Sequence, residues 1–261
     1  MRRVIPALLA IVALVTAACG GGTAATTTTT LPSTTSTTVG ATTSTGHPTT
    51  TSTVGVTTTS APGTTTTTGT PGDPIDFGPA DGDVLMVIGV RHDDVLNLRA
   101  GPGTNQRILD EIPPTFTDLV ARGNTRQLPA SFWVEVDYEG TRGWASLAFI
   151  GYEGDTTDDT AKVVSDLGEN PVEATMADLG QLIAELYASP SDPESDIVQV
   201  TPVSTGDLAE VTYDVVGLGD DAVRGVRIHV FAEKTSGGFG LRSVEVTALC
   251  GRGVDTGGAC V

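Results

Sequence analysis

The sequence predicts a multidomain chain in which a small all-β unit, a barrel or a sandwich, precedes an α+β domain of helices and then an antiparallel meander. A signal peptide and a disordered Thr-rich stalk come before both. Three observations predict this order. Residues 81–152 alternate short β-rich runs with turns marked by Gly and Pro, the pattern of many short strands in a barrel or sandwich. Residues 153–261 place an apolar helical face ahead of four alternating runs, which reads as helices packed on one side of an antiparallel sheet. Residues 23–70 hold 26 Thr and 5 Ser among 48 positions, with no Lys, Arg, Asp or Glu. Such a tract has almost nothing to bury and is expected to stay unfolded.

The first element is the leader. Met1-Arg2-Arg3 is a short positive stretch, and residues 4–18 form an apolar run broken by Pro6 and Thr16. Fifteen residues fall short of the ~20 a helix needs to span a bilayer, so a secretory signal fits better. The run closes with Val15-Thr16-Ala17-Ala18-Cys19-Gly20, which resembles the lipobox of bacterial lipoproteins. That resemblance implies a signal peptide over residues 1–18, acylation (palmitate among the chains) at Cys19, and anchoring on the extracytoplasmic face of the cell membrane. The alternative is a secreted chain cleaved near Ala18. The stalk, residues 19–80, is expected to lift the folded parts off the membrane by about 40 Å as a coil.

Charge is as uneven as composition. After Arg2 and Arg3, the next charged residue is Asp73, and the remaining 12 basic and 32 acidic residues leave −20. A balance of that sign excludes nucleic acid and anionic lipid surfaces as partners, since both need clustered Lys and Arg. The three cysteines divide the same way. With Cys19 assigned to lipid, Cys250 and Cys260 are left to form a disulfide in an oxidising compartment; a metal pair or a reactive thiol is the alternative.

The β-rich unit is expected over residues 81–152, with strands at 84–90, 95–99, 107–112, 118–121, 132–138 and 142–145. Leu96-Asn97-Leu98-Arg99-Ala100-Gly101-Pro102-Gly103-Thr104-Asn105 resembles the signature opening of bacterial SH3-like (SH3b) domains, and Trp133-Val134-Glu135-Val136 and Gly143-Trp144-Ala145-Ser146 follow where that family has them. The resemblance covers about residues 84–152. It implies an SH3-like barrel and a binding module, often for peptidoglycan or its peptides, without catalysis. Exposed aromatics beside the loops make Trp133, Tyr138 and Trp144 ligand-binding candidates, with Tyr138 expected to be the most exposed. Asn97 and Arg99 stand near the first loop. Arg99 also reads as an anchor for loop carbonyls, and the two Trp as core.

In the C-terminal part, residues 154–160 read as an acidic connector. Residues 159–167 suggest a short helix ending near Gly168. Residues 176–188 suggest a longer one, with Met176, Leu179, Leu182, Ile183 and Leu186 on one face, Thr175 as N-cap and Asp178 close to a capping box. Strands are expected at 197–203, 208–216, 224–233 and 241–250, each with one apolar and one polar face. Arg227 and His229, opposite Glu210, Asp214 or Glu245, read as a solvated charge ladder.

Few residues suggest chemistry. His47, His92 and His229 are scattered, no His follows Cys250 or Cys260, and no Gly-x-Ser-x-Gly occurs. The acidic runs 155–159 and 219–221 lack calcium-loop spacing. No enzyme activity, cofactor or metal is expected. The sequence is therefore read as a membrane-anchored exported lipoprotein that binds the cell wall; the alternative is an envelope assembly factor that grips another exported protein without wall affinity.

Overall fold

The computed structural model describes residues 69–189 and 195–261. The signal peptide, Cys19 and most of the expected stalk lie outside the described residues. Alternating apolar positions set the strands β1 (Asp73–Pro74), β2 (Asp81–Val87), β3 (Leu96–Arg99), β4 (Ile108–Ile112), β5 (Leu119–Leu128), β6 (Ser131–Tyr138) and β7 (Thr141–Ser146). A 3-10 turn, Leu147–Phe149, leads into β8 (Ile150–Asp158), then α1 (Thr160–Leu167), β9 (Val172–Glu173) and α2 (Met176–Glu185). The chain ends with β10 (Asp196–Gln199), β11 (Leu208–Val216), β12 (Val223–Thr235) and β13 (Gly238–Cys250).

These strands form one sheet of 13 strands in the order β10-β11-β12-β13-β8-β2-β5-β6-β7-β3-β4, with β1 beside β5 and β9 beside β13. Every pairing is antiparallel. This overturns the expectation of a small SH3-like barrel followed by an α+β domain. The element responsible is β8. Its first residues, Ile150 and Gly151, pair with Val87 and Met86 of β2, and from Tyr152 onward it pairs with Cys250 through Glu245 of β13. Residues 154–158, expected to be part of a connector, thus belong to a strand that reaches both halves. Its Gly, Asp and Thr content hides it, because its register comes from long-range pairing rather than from its own alternation. The crowding there also requires Gly154: an added Cβ would meet the Cys250 sulfur at 2.9 Å and the Ala248 Cβ at 3.0 Å.

Strand pairing also begins earlier than residue 81, since Asp73 and Pro74 lie opposite Gln127 and Arg126. Among the described residues, three apolar clusters follow the sheet, the smallest being Met86, Ile88 and Leu249 with Val216 packed against them. One holds Leu85, Leu98, Leu119, Val134 and Val136, and it includes Tyr152 of β8 and Cys250 of β13. Cys250 is bonded to Cys260, which closes the last loop against this core.

The second cluster lies under α2. Thr175 accepts a hydrogen bond from the Asp178 N–H at 3.1 Å, satisfying one free donor of the first turn. Met176, Leu179 and Ile183 are buried on Val211, Tyr213, Val230 and Val244, each worth about 1.5–3 kcal/mol. Gly180 lets the helix approach closely, for a Cβ there would meet the Tyr213 ring at 2.5 Å. The helix stops at Glu185, three residues before the expected end.

The polar face of β11 and β12 is not wholly solvated. Where β2 ends, Asp214 is fully buried and Arg227 nearly so. The Arg227 Nε and Nη2 donate to Asp214 at 2.7 and 2.9 Å, Nη2 also donates to the Val87 carbonyl at 2.8 Å, and the Gly89 N–H donates to Asp214 at 2.8 Å. The expected charge ladder is therefore corrected at this end, because the first half of the sheet covers it. His229 keeps the surface position, with Nε2 3.2 Å from a Glu210 carboxylate oxygen.

Arg227→Met should leave the Asp214 carboxylate buried without its cation and cost about 3–5 kcal/mol. In urea, the midpoint seen by Trp fluorescence, which reports β6 and β7, should fall together with that seen by circular dichroism at the helix band. Separate midpoints would mean that the two halves unfold independently.

Candidate functional site

The β6–β7 hairpin organises the region that the sequence singles out. Its two-residue loop puts Glu139 at φ +46° and Gly140 at φ +86°, the left-handed pair that a tight hairpin with right-twisted strands needs. That loop fixes the register: Trp133 faces Ser146, Glu135 faces Trp144, and Asp137 faces Arg142, while Arg99 of β3 lies on the other side of Trp144. Strand alternation then sorts the side chains. Asn97, Arg99, Trp133 and Trp144 share one face with Glu135 and Asp137. Tyr138 lies on the opposite face with Val134 and Val136.

Tyr138 is accordingly a core residue. It is 7 % exposed and packs edge-on against Phe116 with ring centroids 4.8 Å apart. Burial, with the nearby Glu139 carboxylate, pushes its phenol above the ordinary tyrosine range. The expectation that it is the most exposed aromatic fails because strand alternation puts Tyr138 on the same core-facing side as Val134 and Val136. Trp133 and Trp144 are 3 % and 7 % exposed, so neither offers an open ring face. The Trp133 indole N–H donates to the Ser131 hydroxyl at 2.9 Å.

Arg99 holds the loop that follows its strand. Its Nη1 donates to the Gln106 carbonyl at 2.9 Å, and the Ala100 N–H donates to the Arg107 carbonyl at 2.9 Å. Gly101, Pro102 and Gly103 in between are buried. The arginine thus shapes the loop, and it also borders a groove of ≈ 340 Å³.

That groove collects Asn97, Arg99 and Trp133; Trp144 and Tyr138 are not part of it. It adds Arg91, Asp94 and Phe149, which sequence reasoning missed. The charged run Arg91-His92-Asp93-Asp94 between two strands was the available signal for the first two. Arg91 pairs with Asp93 at 3.0 Å on the surface, and Asp94 accepts from its neighbour's Val95 N–H. The Asn97 amide makes no hydrogen bond among the described residues, so its acceptor and both donors are available to a ligand. The groove therefore offers a cation, a carboxylate, an amide and the covered edge of an indole within one concave surface.

The other end of the same face is internally paired. Asp137 accepts from both Arg122 and Arg142, and the Asn124 amide donates to Glu135 at 2.6 Å. The Arg122 hydrogen bond, then that from Arg142, lowers the Asp137 carboxyl to about 2. His229 on β12 is far from this cluster in the strand order, His92 lies in the connection between β2 and β3, and His47 lies outside the described residues. Among the described residues no group of three or more His, Cys, Asp or Glu side chains is placed to hold a metal ion.

Compared with known proteins, the chain matches no family model, no curated protein and no solved structure.

The Asp137 carboxyl is depressed in the folded state, so its contribution to stability is complete above the ordinary carboxylate range near 4 and is lost as pH falls through about 2. A carbon-detected titration of the Asp137 carboxyl should give a midpoint near that value, and Arg122→Gln should move it upward. An unchanged midpoint in the variant would show that Arg122 does not hold the charge.

Proposed function

We propose that this protein is a membrane-anchored exported lipoprotein that binds the cell wall, through peptidoglycan or its peptides, and catalyses no reaction. The carrying observation is the Asn97 groove. An amide with all its hydrogen bonds unmade, in one groove with the Arg91 cation and the Asp94 carboxylate, matches a short peptide, which carries amides along its length and charges of both signs at its ends and branches. The lipobox-like Val15–Gly20 stretch and the SH3b-like stretches at 96–105, 133–136 and 143–146 support the same reading, as does a Thr-rich tract between anchor and head. Binding of this kind needs orientation and modest affinity rather than activated groups.

The full chain should pellet with purified peptidoglycan, and Asn97→Ala should lower the retained fraction about tenfold, the cost of two or more lost hydrogen bonds. Wild-type protein that stays in the supernatant while folded overturns the proposal. So does a single dominant protein adduct on cross-linking intact cells, which favours the assembly role instead.

A further inference from the structure

A second and larger groove, ≈ 620 Å³, borders the Leu147–Phe149 turn through Leu147 and Ala148. Phe77 and Phe132 form its apolar part; their rings meet edge-on with centroids 5.4 Å apart, yet 58 % and 37 % of their surface stays exposed. Adjacent phenyl rings in water leave burial energy unclaimed, and a bound apolar group would recover it. The polar rim is mostly made of donors. The well-exposed Arg252 guanidinium uses one N–H on Asp221 at 2.7 Å and keeps the rest. The Ser131 hydroxyl accepts from Trp133 and retains its own O–H to donate. Arg224 and Arg252 against Asp221 make this groove cationic in a chain of net charge −18.

We propose that this groove is a binding site for a small organic carboxylate bearing an apolar ring or short chain. The carboxylate sits on Arg252, whose planar fork suits a bidentate partner, and the apolar part lies over Phe77 and Phe132. Asp221 is then the internal competitor for the arginine, so its removal tightens binding. None of the residues altered below borders the Asn97 groove, and the two sites stand or fall separately.

The test is titration of the full chain with 3-phenylpropionate, and with 3-phenylpropanamide as the uncharged analogue, followed by calorimetry or by NMR of the Phe rings. The acid should saturate the protein and bind about tenfold tighter than the amide. Arg252→Gln should abolish that preference, Phe77→Ala should weaken both ligands, and Asp221→Asn should tighten the acid several-fold. All three positions are exposed, and an unchanged circular dichroism spectrum confirms that each variant folds. Equal affinity for acid and amide, indifference to Arg252→Gln, or an absence of saturable binding overturns the proposal.

Discussion

The buried Asp214 carboxylate is the constraint on which the rest of this structure depends. Moving such a charge out of water costs several kcal/mol unless its lone pairs are matched. Here one guanidinium and one backbone N–H meet it, and the same guanidinium continues to the Val87 carbonyl. The pair therefore joins β11 and β12 to the end of β2 by polar contacts that have only one good geometry. Because residues 88–95 leave β2 directly after this joint, the position of Arg91 and Asp94 in the Asn97 groove is inherited from an ion pair more than a hundred residues away in sequence.

Arg224 plays a related part at the second groove. Its guanidinium donates to the carbonyls of Leu147, Ala148 and Ile150 at 2.9, 3.0 and 2.7 Å. Leu147 and Ala148 lie in the 3-10 turn and Ile150 starts β8, so one side chain clasps the turn and the strand that follows it. Burial pulls the arginine below its ordinary range, so these three acceptors offset its lost hydration. The turn thereby fixed borders both grooves, Leu147 and Ala148 lining the larger and Phe149 the smaller, with Ser146 on the border of both. Arg224 thus holds a turn that borders both grooves and itself lines the larger one.

Local signals read well wherever one face of an element is buried by its own neighbours. The α2 start follows from Thr175 and the apolar spacing, and α1 ends at Gly168 in the left-handed conformation. The alternation of Val211, Tyr213 and Val215 against Val226, Ile228 and Val230 marks the meander. Legibility fails where burial comes from afar. Residues 153–158 carry no apolar rhythm, yet β13 recruits them as a strand, and Arg227 looks like any surface charge until β2 covers it. Of the site, Asn97, Arg99 and Trp133 were legible because a loop-closing motif surrounds them. Phe149, Phe77 and Arg252 were not, since each becomes part of a groove only through contacts made across the sheet.

By itself the sequence determined the local conformations: which stretches extend or coil into helix, where glycines turn the chain, and how charge and composition partition along it. Those follow from φ/ψ preference and side-chain period, which act over a few residues. Only the tertiary structure decided that the two halves share one sheet, that Asp214 is buried, and that the Leu147–Phe149 turn borders both the Asn97 groove and the Phe77 groove. Backbone hydrogen bonding between strands is blind to side-chain identity, so a polar segment such as 150–158 can join either neighbour. The choice is made by the register and packing of residues far apart in the chain.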